Sequence, residues 1–136
     1  MDKEGIVIKF YRIERFLYIH HFKLLARMVY YVIYIMFNCV IPPSADLKKN
    51  VKIAHGIGIV IHHNAVIGAN TKIYQNVTIG GGDGIVVGEN CLIGAGAVLL
   101  GKIVIGDNVK IGANTFVNFD VPSGSTVVGV KGKILD

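Results

Sequence analysis

The sequence predicts an all-β solenoid, a parallel β-helix wound from hexapeptide repeats, preceded by a short helical segment. Three observations carry that prediction. From Ile61 to Val117 an aliphatic residue recurs at every sixth position: Ile61, Ile67, Ile73 and Ile79 keep one phase, and after a two-residue slip Val87, Ile93, Leu99, Ile105, Ile111 and Val117 keep the next. Third after these stand Asn64, Asn70, Asn76, Gly82, Asn90, Gly96, Lys102, Asn108, Asn114 and Asp120; all but Lys102 are residue types that tolerate a positive φ at a tight corner. Two residues before most of the aliphatics lies a second small or branched residue: Ala65, Thr71, Val77, Ile85, Cys91, Ala97, Ile103, Val109 and Thr115. A period of six matches neither a helix nor a simple alternating strand.

A chain that makes a short strand and a corner every six residues must coil. Three such sides close a triangular turn of about 18 residues, with the aliphatics stacked inside and successive turns hydrogen-bonded roughly 4.8 Å apart. Branched residues suit the flat sides, and Asn at a corner can bond neighbouring backbone. The stretch from Leu47 to Val121 gives about four turns.

The first forty residues differ in kind, so the chain divides into a helical segment over 1–41 and a solenoid over 42–136. Phe10 to Arg27 mixes charges, His20 and His21 with aromatics; Met28 to Ile41 is apolar apart from Asn38, and Pro42-Pro43 ends it. One or two helices follow from this. The apolar run is shorter than the roughly 20 residues that span a bilayer. It suits packing on the solenoid or on partner subunits, and Arg12, Arg15, Lys23 and Arg27 beside it also suit a helix lying on a membrane surface. A secretory leader would start nearer residue 1 with a cleaner small-residue cleavage site. The expected location is the cytoplasm, with the inner membrane face as the site of any peripheral contact.

Composition supports the same reading. With 17 Gly, 3 Pro, no Trp and 17% charged residues, the chain has the makings of solenoid corners around an aliphatic interior. Short solenoids leave open ends and flat apolar faces, so self-association is expected. The net charge of +5 suits solubility and also an anionic ligand. The repeat region lacks regularly interleaved basic and aromatic residues, which argues against nucleic acid. Cys39 and Cys91 are far apart without metal-ligand spacing and read as buried free thiols.

The repeat breaks in two places, and breaks in a strong pattern are where function is expected. The step from Ile53 to Ile61 takes eight residues and, with the two that follow, holds His55, His62 and His63. The second slip is Gly80-Gly81-Gly82-Asp83-Gly84. A neutral imidazole can accept a proton near physiological pH and so activate a hydroxyl for attack. The glycine run lacks the Gly-Lys-Ser/Thr and the helix of a nucleotide loop; bare backbone that admits a ligand, with amides that stabilise a thioester oxyanion, fits it better.

The run HGIGIVIHHNAVIGANTKIYQNVTIGGG resembles the active-site coil of the serine acetyltransferase branch of the hexapeptide-repeat acyltransferases, and IGAGAVLLG, VKIGANTFV and VPSGSTVVGV are similar to its later coils. The resemblance covers residues from about 41 to 136. It implies a left-handed β-helix, a homotrimer with active sites between subunits, and acetyl-CoA as co-substrate without a metal. It makes His55 the general base, places Gly80, Gly81, Ala95 and Ala113 along the pantetheine arm, and sets Lys110 near the anionic end of the coenzyme. His55 would take the acceptor's proton and the oxygen would attack the thioester directly, without an acyl-enzyme.

The departures from that family bear on the acceptor. The carboxylate that orients the family's histidine falls on Val40, the acidic residue before that histidine is Ala54, and the second active-site histidine has no counterpart because Gly82-Asp83-Gly84 leads straight into the next hexad. The segment ahead of the coils is also far shorter than the helical domain of serine-specific members. These differences favour a sugar or glycan hydroxyl of surface polysaccharide, with L-serine of cysteine biosynthesis as the alternative. Two other classes compete: a zinc site of the carbonic-anhydrase-like hexapeptide proteins, opposed by the expectation that His62 and His63 point to opposite faces of a strand, and a non-catalytic scaffold.

Overall fold

The computed structural model describes residues 5–82, 84–129 and 134–135. After two helices, α1 (Ile6–Ile19) and α2 (Lys23–Phe37), the chain winds through three parallel sheets. Sheet 1 stacks β3 (Val60–Ile61), β6 (Thr78–Gly80), β9 (Val98–Leu100) and β12 (Phe116–Val117). Sheet 2 stacks β1 (Asp46–Leu47), β4 (Val66–Ile67), β7 (Val86–Val87) and β10 (Val104–Ile105). Sheet 3 stacks β2 (Lys52–Ile53), β5 (Lys72–Ile73), β8 (Leu92–Ile93), β11 (Lys110–Ile111) and β13 (Thr126–Val127). The chain visits sheets 1, 2 and 3 in rotation, which is the expected coil of about four turns.

The second residue of each strand points inward and stacks on its equivalents. Ile61 lies against Ile79, Ile79 against Leu99 and Leu99 against Val117; Ile53, Ile73, Ile93 and Ile111 form the matching column of sheet 3. All are buried, as are the residues two places earlier. Each such aliphatic contributes about 1.5–3 kcal/mol by leaving water. Thr71, a polar member of the inner set, bonds Gly88 O at 2.9 Å through Oγ1 and accepts from Cys91 N–H at 3.1 Å. Both thiols are free and buried, and burial raises the pKa of each.

The corners follow a finer rule than the hexad suggests. Between sheets 2 and 3, Asn50, Asn70, Asn90, Asn108 and Gly124 take positive φ; between sheets 3 and 1, Gly58, Asn76, Gly96 and Asn114 do. On that second edge the Asn76 side chain occupies the space where a Gly58 Cβ would stand, and Asn114 does the same beneath Gly96, so glycine and asparagine alternate. The edge from sheet 1 to sheet 2 differs. Asn64 and Asp120, of types expected to tolerate a left-handed corner, are not among the positive-φ residues, nor is Lys102, the exception in type; Gly82 (φ 104°) does take the expected conformation, and Gly101 adopts it beside Lys102. There the turn closes by other bonds, Ala65 N–H to His62 O at 3.0 Å and Val104 N–H to Asp120 Oδ1 at 2.8 Å.

The two helices form a hairpin that turns at His21 (φ 66°), earlier than the composition break near Arg27 implies, and α2 stops where Asn38 turns left-handed (φ 51°). Val7, Ile8, Tyr11 and Glu14 share the buried face of α1. That helix caps the open end of the coil. Tyr11 OH donates to Ala45 O at 2.5 Å and accepts from Leu47 N–H at 3.2 Å, and the Arg12 guanidinium donates to Leu47 O and Lys48 O. These are backbone groups of β1 and the residues flanking it, which have no rung above to satisfy them. Phe16, Phe22, Leu24, Met28, Ile35 and Met36 leave much of the hairpin apolar and exposed. Among the described residues no helix is long and apolar enough to cross a membrane.

Two outcomes follow for stability. Tyr11→Phe leaves Ala45 O and Leu47 N–H without their partner and is expected to cost about 1–3 kcal/mol in chemical denaturation. Glu14 is fully buried with neither carboxyl oxygen hydrogen-bonded among the described residues, and burial pushes its pKa up to about 8. The folded chain therefore binds a proton more tightly than the unfolded one, and the stability linked to Glu14 is full below the unfolded pKa near 4.5 and lost as pH rises through about 8. Glu14→Gln should flatten this decline, so that thermal melts at pH 5 and pH 8 differ less in the variant than in the parent chain.

Candidate active site

His55 owes its position to a two-residue insertion. Ala54 N–H bonds Ile73 O at 2.8 Å and Ile57 O accepts from Asn76 N–H at 3.0 Å, so the ladder holds on both sides and His55-Gly56 loops out between. His55 has φ 67°, a conformation that costs a non-glycine residue about 1–3 kcal/mol. A Cβ at Gly56 would collide with Val7, which places α1 directly over the insertion. The imidazole is exposed, and among the described residues nothing hydrogen-bonds it. Val40 pairs with Val60 at the end of sheet 1 and offers no carboxylate.

Below this insertion the edge between sheets 3 and 1 carries Ile57, Gln75, Ala95 and Ala113, one per rung, joined through Asn76 N–H to Ile57 O, Gly96 N–H to Gln75 O at 3.0 Å, and Asn114 N–H to Ala95 O at 2.8 Å. Three of the predicted residues, His55, Ala95 and Ala113, therefore share one edge. Lys110 is exposed at the start of β11 on the adjoining sheet 3, in a column with Lys52 and Lys72. Gly80 and Gly81 stand apart, at the edge between sheets 1 and 2, with sheet 1 intervening; Gly80 pairs with Leu100 and its O accepts from Gly101 N–H at 3.2 Å. Asp83 lies outside the described residues.

Gln75 was not singled out from the sequence. Its Oε1 is buried without a hydrogen bond among the described residues, one rung above Ala95. The signal was available in the ladder spacing, since Gln75 precedes Ala95 by one full coil, but only paired rungs reveal which residue tops which.

His62 and His63 correct an expectation. Their rings do not point to opposite faces; they pack with centroids 4.1 Å apart. Both lie beyond the end of β3, in the turn closed by Ala65 N–H to His62 O, where strand alternation no longer applies. No group of three His, Cys, Asp or Glu among the described residues is placed to hold a metal. A cleft of about 540 Å³ lined by Tyr18, Lys23, Arg27, Tyr30 and Pro43 lies at the helical end and contains none of the predicted site residues.

Known proteins converge on one family. The bacterial transferase hexapeptide (six repeats) family matches residues 84–118. A serine acetyltransferase of Helicobacter pylori is 37% identical over 131 residues, covering 92% of this chain and 77% of the relative. A Neisseria gonorrhoeae serine acetyltransferase in complex with serine superposes with a TM-score of 0.85 at 38% identity, over 94% of this chain and 55% of that one. A serine acetyltransferase complex with CoA also gives 0.85, at 37% identity over 95% and 55% of the two chains. The chain spans 54 to 77% of the curated relatives it matches and about half of the solved ones. The sheets share the left-handed winding of those structures. Repeat, ladder and likeness agree: the chain belongs to the serine acetyltransferase branch of the hexapeptide-repeat transferases.

Proposed function

We propose that this protein is an O-acetyltransferase that moves acetyl from acetyl-CoA directly to an acceptor hydroxyl, with His55 as general base. The observation that carries this is His55 itself, an exposed imidazole held in a left-handed conformation on a two-residue break in an otherwise regular ladder. His55 takes the hydroxyl proton, the oxygen attacks the thioester carbonyl, the C–S bond breaks, and the CoA sulfur leaves with the proton. General-base help contributes about 10²–10⁴-fold, and positioning contributes the rest.

Ala95 and Ala113 leave room for an extended pantetheine arm along the edge they share with His55. The buried, unbonded Oε1 of Gln75 on that edge suits an amide N–H of the arm, and Lys110 suits the anionic end of the coenzyme. Gly80 and Gly81, on the other margin of sheet 1, complete the groove when a second copy brings its glycine edge against this one. That division of residues supports a homotrimer with sites between subunits.

Similarity supports L-serine as the acceptor better than the glycan expected from the sequence, because the matched relatives are named for serine acetylation and one solved neighbour holds serine. A sugar hydroxyl is the second reading, favoured by Val40 and Ala54, which stand where the family has acidic residues beside its histidine. An acceptor screen with acetyl-CoA, comparing L-serine with nucleotide sugars and oligosaccharides and reading CoA thiol release, separates them: turnover confined to L-serine supports the first reading and turnover confined to sugars replaces it.

Replacing the base tests the mechanism without relying on folding. His55→Ala and His55→Gly should both lower turnover by at least about 10²-fold. The glycine variant should be the more stable of the two by about 1 kcal/mol, because glycine accepts φ 67° without strain. Ala113→Trp is expected to weaken acetyl-CoA binding about tenfold or more in calorimetry by filling the arm groove; unchanged affinity would remove Ala113 from the site.

A further inference from the structure

We propose that His62 is a second catalytic imidazole, which donates a hydrogen bond from Nε2 to the thioester oxygen as negative charge builds there; this rests on the acetyl-transfer reading above. The first ground is position. Val60 pairs with Thr78 and Ile61 with Ile79, and His62 N–H bonds Ile79 O at 2.7 Å, so His62 follows Ile61 as Gly80 follows Ile79. The two residues occupy one column, a single rung of about 4.8 Å apart.

The second ground is the shape of that column. A Cβ built on Gly80 would make only ordinary contact, 4.0 Å from the Leu100 and Thr78 side chains, so although Gly80 is buried its Cβ position is not filled by a neighbour. One rung further the column resumes with Leu100, paired to Gly80. Bare backbone at Gly80 therefore forms the floor of a notch in the column, with Leu100 one rung on and His62 one rung back. Such a notch admits a thioester beside backbone amides, and a side chain at Gly80 would fill it.

The third ground is the proton. Asn64 N–H donates to His62 Nδ1 at 3.3 Å, so Nδ1 is the unprotonated nitrogen and the neutral ring carries its proton on Nε2. The ring of His63, packed 4.1 Å away, restrains the same rotamer. A donor held in advance beside the place where an oxyanion forms needs little reorganisation during the reaction. His55 cannot take this role in the same notch, since it stands on the far margin of sheet 1. His55 of the partner subunit would approach from the other side, so one imidazole removes the acceptor's proton and the other supports the charge that its attack creates.

The test is steady-state kinetics on the intact protein with acetyl-CoA and its best acceptor. Removing an oxyanion donor typically costs about 10²-fold in kcat, so His62→Ala should fall by that order with KM for acetyl-CoA within about twofold. His62→Gln, whose amide N–H can reach the same oxygen, should recover about tenfold. A kcat for His62→Ala within about threefold of the parent overturns the proposal, as does a Gln variant no better than Ala with KM raised equally in both. A parent protein that releases no CoA with any acceptor overturns the acetyl-transfer reading and this proposal together, whereas parent turnover with an unimpaired His62→Ala overturns this proposal alone.

Discussion

Everything in this molecule depends on the parallel rung-to-rung hydrogen bonding that holds each inward aliphatic on top of its equivalent. Leu47 on Ile67, Ile53 on Ile73 and Ile61 on Ile79 fix the register, and a slip by one residue would turn a buried column outward. Once the columns are fixed, three straight edges are fixed too. Residues far apart in sequence then become neighbours along an edge, as with Ile57, Gln75, Ala95 and Ala113. The ladder also tolerates a bulge, because hydrogen bonds resume on either side of His55-Gly56. A rigid frame with a local interruption is how His55 is held exposed in a left-handed backbone conformation.

The open end shows the cost of the same design. A rung without a neighbour leaves backbone groups unpaired, and Tyr11 and Arg12 supply the missing partners to β1. The helix that does this also covers Gly56 through Val7, so capping and placement of His55 are one packing event. The Glu14 carboxyl buried on that face, its pKa raised by burial to about 8, withdraws stability as pH rises from near 4.5 through about 8.

The hexad made the solenoid, its turn count, the inward residues and the two irregular segments legible before any coordinates. What it missed has physical causes. Asn64, Lys102 and Asp120 occupy the same hexad position as Asn70 or Asn108, yet on their edge the positive-φ residues are glycines, Gly81, Gly82, Gly84 and Gly101, and the turns at Asn64 and Asp120 are held by Ala65 N–H to His62 O and Val104 N–H to Asp120 Oδ1. The expectation for His62 and His63 failed because strand alternation ends with β3. Gln75 carried no motif, and its unbonded oxygen is a property of packing. The division of the proposed site between two edges is invisible in a linear motif, where His55 and Gly80 both look like parts of one active-site run. The helical segment was recognisable from composition, but its capping role depends on Tyr11 and Arg12 meeting an unpaired strand.

The central claim is that the chemistry needs the base-bearing edge of one copy and the glycine edge of another. It is tested most directly by mixing two inactive variants, His55→Ala and Gly80→Leu, unfolding them together and refolding. In a closed head-to-tail assembly, random mixing pairs an intact base edge with an intact glycine edge at about a quarter of the sites. Recovery of about a quarter of the parent CoA release is the expected result, and a mixture as inactive as either variant alone would contradict a shared site.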